Sequence, residues 1–133
     1  MHTILVAFMF SFSVTASAAE TDSKPNAETL INSAIADIDS HHALMTRVSI
    51  PAGFKLPRHY HPSEEFLYVI EGSSVLQIDG QPDITLSAGM AAKIPAEAVH
   101  TAVTTDKAAE VIIFRVQPNG QPVRIPVKET GHD

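Results

Sequence analysis

Between Gly53 and Gly72 the chain reads Gly-Phe-Lys-Leu-Pro-Arg-His-Tyr-His-Pro-Ser-Glu-Glu-Phe-Leu-Tyr-Val-Ile-Glu-Gly, and His59, His61 and Glu65 stand in it as His-x-His-x-x-x-Glu. A further histidine, His100, follows Gly89 and Pro95. Imidazole nitrogens and carboxylate oxygens are ligands for first-row transition metals. Side chains alternate across an extended strand, so His59 and His61 project to one side, and Glu65 keeps that parity four residues on. One inward face can therefore present all three. His100 has small same-parity neighbours in Ala98, Ala102 and Thr104, which leaves room for a ligand opposite it. Glu64 has the opposite parity and is expected on the surface. A His-x-His pair alone is equally what an exposed strand shows; the carboxylate at matching parity and the later histidine behind a proline turn favour a metal site.

These residues need strands to position them, and the chain supplies strand-like runs. Residues 44–50 alternate, with Leu44, Thr46, Val48 and Ile50 on one face. Runs at 65–71, 75–79, 83–86, 90–94, 99–104, 110–117 and 122–127 follow, separated by turn residues at Pro51-Ala52-Gly53, Gly72-Ser73-Ser74, Asp79-Gly80, Ala88-Gly89, Thr105-Asp106-Lys107 and Pro118-Asn119-Gly120. Short strands at this spacing predict an all-β barrel or sandwich. Parity places Val48, Ile50, Leu67, Val69, Ile112, Phe114 and Val116 inward, an apolar wall with no inward Lys or Arg; Arg58 and Tyr60 fall outside it. The segment 29–38 fits two patterns, a helical face or an edge strand followed by a turn at 37–40. His41 and His42 lie beside that turn and are expected to be solvated, as is His132 in the tail.

The chain has 133 residues, the length of one domain. Residues 1–18 read as an export signal, with a short apolar run at 4–12 and a small-x-small site at Ala16-Ser17-Ala18. Removing them leaves 133 − 18 = 115 residues, enough for one core. The expected organisation is a signal peptide (1–18), an N-terminal extension (19–43), a β domain (44–127) and a polar tail (128–133), in a periplasmic or secreted protein with no membrane span after signal removal. There is no cysteine, so neither disulfides nor thiol chemistry enter. The net charge of −6 argues against nucleic acid as a partner.

With these residues in view, the chain resembles the cupins, specifically the small single-domain ones. Gly53, His59, His61, Glu65 and Gly72 match the family's first motif, Gly-x5-His-x-His-x3-Glu-x6-Gly, and Gly89, Pro95 and His100 match its second. Two positions depart from the pattern: Glu97 replaces a glycine of the second motif and Thr104 replaces its final asparagine. A non-glycine residue at 97 is expected to make the turn before His100 costlier, and Thr104 to alter a hydrogen bond behind the site. The resemblance implies a single jelly-roll β-barrel, with His59, His61, Glu65 and His100 holding one divalent transition metal (Fe, Mn, Ni, Cu or Zn).

Three imidazoles and one carboxylate leave coordination positions open, which is a catalytic rather than a closed structural arrangement. The expectation is a dioxygenase-type oxidoreductase resembling the quercetinase-like cupins, acting on a small chelating organic substrate, with Glu65 as ligand and, on loosening, as base. A non-catalytic metal or small-molecule binding module and a Lewis-acid lyase, isomerase or decarboxylase are the alternatives; the last would need a cationic anchor beside the metal. The resemblance also implies a homodimer, with the segment 29–35 exchanged at the interface.

Overall fold

β-Branched and aromatic residues crowd the segments that the sequence marks as strands, and these residues pack well on a pleated surface. The computed structural model describes residues 24–128; the export segment and His132 lie outside them. Nine strands run through the described residues: β1 (Asn26–Ile35), β2 (Ile38–Ile50), β3 (His59–Tyr60), β4 (Glu65–Ile78), β5 (Ile84–Ser87), β6 (Ala91–Ile94), β7 (His100–Val103), β8 (Ala109–Pro118) and β9 (Ile125–Pro126). Among the described residues no helix is long and apolar enough to cross a membrane.

All pairings are antiparallel, and the strand order is β1-β2-β8-β4-β7-β3-β9, with β5 and β6 also paired to β4. The sheet curls because β4 belongs to both walls. Its first half pairs with β6 and β8, its second half with β5 and β7. The expected break at 72–74 is therefore a bend within one continuous strand. Gly72 makes the bend at φ 73°, and a Cβ there would stand 1.7 Å from the Ala108 carbonyl oxygen. Only glycine lets the two backbones approach so closely.

The ambiguous N-terminal segment is a strand. β1 is exposed along nearly its whole length, so its conformation comes from its ladder with β2, from Asn26↔Ser49 to Ile35↔Ile38, and not from burial. The turn between them is tighter than expected and contains Asp37 at φ 64°. Residues 38–40 already belong to β2, and His41 and His42 pair with Pro118 and Gln117 of β8.

The core consists of Leu67, Val69, Leu76, Ile78, Leu86, Ile94, Ala109 and Val111. This bears out the inward parity read for β4 but reverses it for β8. Directly paired residues share a face. Val111 pairs with Val69, Ile113 with Leu67 and Arg115 with Leu44, so Val111, Ile113, Arg115 and Gln117 face inward. Ile112, Phe114 and Val116 face outward, where Phe114 meets Phe66 with ring centroids 6.5 Å apart. The more apolar face of β8 is outside because its inner face serves a polar site.

Candidate metal centre

His59 opens β3 and pairs directly with His100, the first residue of β7. His61 follows β3 at once, and Glu65 is the first residue of β4. Strand pairing and the bend at Pro62 and Ser63 thus bring together all four residues singled out by the sequence. Each is at most 6% exposed. The three rings lie 4.4–5.2 Å apart between centroids, and each histidine offers a ligand atom within 4.8 Å of the others.

The orientation of the rings is set from behind. Nδ1 of His59 lies 2.8 Å from the Pro57 carbonyl oxygen, Nδ1 of His100 lies 2.8 Å from that of Ala98, and Nδ1 of His61 lies 2.5 Å from that of Val123. A carbonyl only accepts, so Nδ1 of His61 and of His100 carries the proton and donates it; Nδ1 of His59 makes the same contact with its carbonyl, shorter than the 3.2 Å that separates it from Arg124 Nη2. In the neutral ring Nε2 is then the free lone pair, and this is how metal-ligating histidines are oriented. For His59 and His100 the carbonyl sits two residues back in the chain, whereas His61 depends on the C-terminal segment.

Burial favours the neutral ring at His59 and His100. It pushes His59 down to about 4, against the raising effect of its bond to Pro57, with His100 and Arg124 adding to the fall. It lowers His100 as well. Burial alone would raise Glu65, but the His61 imidazole beside it and the charge of Arg115 outweigh it and hold the carboxyl at about 2.

Arg115 is the functional residue that sequence reasoning missed. Its Nη2 donates to Glu65 Oε2 at 2.5 Å and lies 3.1 Å from His61 Nε2. Its side chain is 7% exposed. His61 Nε2 and Glu65 Oε2 are themselves 2.9 Å apart. With Nδ1 of His61 already donating to Val123, two lone-pair atoms face each other across that gap. Such an arrangement suits a cation held between them, and the donor set fits a divalent transition metal. Reading residues 110–117 with Val111, Ile113 and Arg115 on the inner face was the signal available; the rule that apolar residues go inside concealed it.

The two departures from the family pattern have structural consequences. Glu97 adopts φ 62° and its N–H donates to the His61 carbonyl at 2.8 Å, so the glycine conformation is kept by a residue that pays strain for it. Thr104 Oγ1 accepts from the Phe54 N–H at 2.9 Å and donates to the Pro51 carbonyl at 2.5 Å, tying the end of β7 to the loop that leads to His59. Glu64 pairs with Lys93 at the surface. Arg58 pairs with Asp79 there. His42 corrects an expectation: it lines the cavity, with Nδ1 2.7 Å from Asn119 Oδ1.

The four residues open onto a cavity of about 520 Å³, whose walls include Leu44, Leu56, Leu67, Val111 and Ile113. A cavity of that size holds a small organic molecule.

The Cupin domain family matches residues 46–116, more than half of the 133. The chain belongs to the cupin family. A 3-hydroxyanthranilate 3,4-dioxygenase of Mycosarcoma maydis is 32% identical over 68 residues, which are 48% of this chain and 38% of that enzyme. The chain therefore spans well under half of this relative. Among solved structures it is similar to the polyketide cyclase RemF of Streptomyces resistomycificus (TM-score 0.63, 22% identity, 88% of each chain). It is also similar to the DMSP lyase DddQ of Ruegeria pomeroyi (TM-score 0.62, 23% identity, 71% of this chain and 47% of that one). A double-stranded β-helix protein from Klebsiella pneumoniae has a TM-score of 0.64 at 14% identity over 82% of this chain and 89% of its own. These structural likenesses establish the fold.

Proposed function

We propose that this cupin is an exported metalloenzyme that holds one divalent transition metal through His59, His61, His100 and Glu65 and acts as a dioxygenase-type oxidoreductase on a small chelating organic substrate. The observation that carries the reading is the shared orientation of three buried imidazoles, each with Nδ1 bound to a carbonyl and Nε2 left for a metal. The likeness to a 3-hydroxyanthranilate 3,4-dioxygenase supports the oxygen chemistry.

A bound metal would supply Lewis acidity, lowering the pKa of a coordinated hydroxyl, and a place for dioxygen beside it. The protein's own residues do the rest. The three carbonyls keep the imidazoles in one tautomer. The apolar wall excludes water and orients the substrate body. Arg115 holds Glu65 ionised at Oε2, ready as a ligand, and the carboxylate becomes a competent proton acceptor when that contact loosens.

A Lewis-acid lyase or decarboxylase is a second reading, because Arg115 provides the cationic anchor that the sequence parity had denied it. Oxygen consumption with chelating phenols or enols supports the dioxygenase; turnover under anaerobic conditions with zinc supports the lyase. Ligand-dependent stabilisation with no product marks a binding module.

The metal assignment is tested by elemental analysis of protein purified from its exported compartment. His59→Ala and His61→Ala are expected to abolish metal binding, and His41→Ala and His42→Ala to leave it intact. Equal metal in all four variants refutes it. Export itself is supported by the apolar run and cleavage-like site at the N-terminus.

The protein is proposed to be a homodimer. The exposed outer-face residues Phe66, Tyr68 and Val116 and the exposed strand β1 support this. A monomeric mass by light scattering at micromolar concentration would contradict it.

A further inference from the structure

The charge of the cavity runs against that of the chain. The protein carries 9 Lys and Arg against 15 Asp and Glu. The cavity wall nevertheless contains two arginines, Arg115 and Arg124, and a single acid, Glu65. The two guanidinium groups thus outnumber the one carboxylate, and a divalent ion would widen the excess of positive charge. Uncompensated buried charge is expensive.

Arg115 makes the imbalance acute. Both groups that Nη2 contacts, Glu65 Oε2 and His61 Nε2, belong to the proposed ligand set, so coordination would take the His61 lone pair and draw on the Glu65 charge. The Nε of Arg115 is buried and has no hydrogen-bond partner among the described residues. A loaded centre therefore leaves a buried guanidinium short of acceptors. A guanidinium fork matches a carboxylate in a bidentate way. Arg124 stands at the open side of the cavity, exposed, with Nη2 donating to the Pro57 carbonyl at 2.8 Å.

We propose that the natural ligand of this centre is a small organic carboxylate with an apolar body, its charge held by Arg115 beside the metal and by Arg124 at the cavity mouth. The apolar body lies against Leu56, Leu67, Val111 and Ile113. This inference rests on the metal-centre reading and adds the charge and class of the substrate to it.

The test uses zinc-loaded protein, so that binding is measured without oxygen chemistry. Zinc content is determined first, then the affinities of 2-hydroxybenzoate and its neutral analogue 2-hydroxybenzamide are compared by calorimetry. The acid is expected to bind at least tenfold more tightly. Because the carboxylate also meets the metal, the decisive readout is the ratio of the two affinities in Arg115→Gln and Arg124→Gln, which is expected to fall severalfold. Arg124 is exposed, so its variant keeps the test open if Arg115→Gln fails to fold. A ratio near one in the wild type, or a ratio unchanged in both variants, overturns the inference while leaving the metal centre standing. A folded wild-type protein that takes up no zinc overturns both.

Discussion

Replacing Arg115 with methionine removes the charge but keeps an unbranched side chain of similar reach. In the metal-free protein this strips Glu65 of the cation at 2.5 Å in a site where the two side chains are 7% and 5% exposed. A buried carboxylate without that partner takes up a proton instead of remaining ionised. The cost can then be worked from linkage. The unfolded chain ionises Glu65 at about its ordinary value of 4.5, so keeping the carboxyl protonated at about pH 7 costs on the order of 3 kcal/mol. That agrees with the roughly 3–5 kcal/mol expected on removing one partner of a buried ion pair.

At about 4 °C per kcal/mol for a domain of this size, the melting temperature falls by about 12 °C. The sign of the pH dependence is diagnostic. Because the variant binds a proton that its unfolded state has released, its deficit shrinks by about 1.4 kcal/mol per pH unit as pH falls from about 7 towards 4.5. Thermal melts of metal-free wild type and variant across that range measure this directly. Zinc should return much of the loss, since it supplies the missing cation. A variant within about 3 °C of wild type at neutral pH, or a deficit that stays constant down to about pH 5, refutes the argument.

The wild type also has a characteristic acid response. His59 is depressed to about 4 and His100 is lowered, so their contribution to metal-free stability is complete above the ordinary histidine value of about 6.5 and is lost as pH falls through their folded values; Glu65, at about 2, is lost later, below about 4.5. Melts of metal-free protein that stay flat between about pH 7 and 5 would contradict this. Glu97→Gly relieves a left-handed residue at φ 62° and is expected to stabilise by up to about 1 kcal/mol, a rise of a few degrees in melting temperature; a fall of similar size would show that the Glu97 side chain matters more than its backbone. Gly72→Ala should lose several kcal/mol or fail to fold, because both φ and the Ala108 carbonyl oppose a Cβ; soluble protein with an unchanged melt would show that the bend at Gly72 is not needed.

Much of the fold was legible because strands and turns are local. Alternation at residues 44–50 is realised in β2, and Asp79-Gly80 turns with Gly80 at φ 76°. The segment 29–38 was not legible, since nothing in its own sequence buries it and only the ladder with β2 decides for a strand. The break expected at 72–74 is a bend inside β4 for a similar reason. A glycine with φ 73° can end a strand or carry it round a corner, and the choice depends on β5 and β7 pairing with the second half.

The sequence by itself determined which residues of one strand share a side: Glu65 with Leu67 and Val69, Val111 with Ile113 and Arg115. That is covalent geometry, since alternation is a property of any extended chain. Which side faces in was decided by tertiary pairing. Leu44↔Arg115 and Val69↔Val111 turn the more apolar face of β8 outward and place a guanidinium against Glu65. The same holds for the centre as a whole. Three potential ligands lie close along the chain, but the bend at Pro62 and Ser63 brings Glu65 to His61, and His100, Arg115 and the Val123 carbonyl reach the centre from three distant segments, through the curl of the sheet.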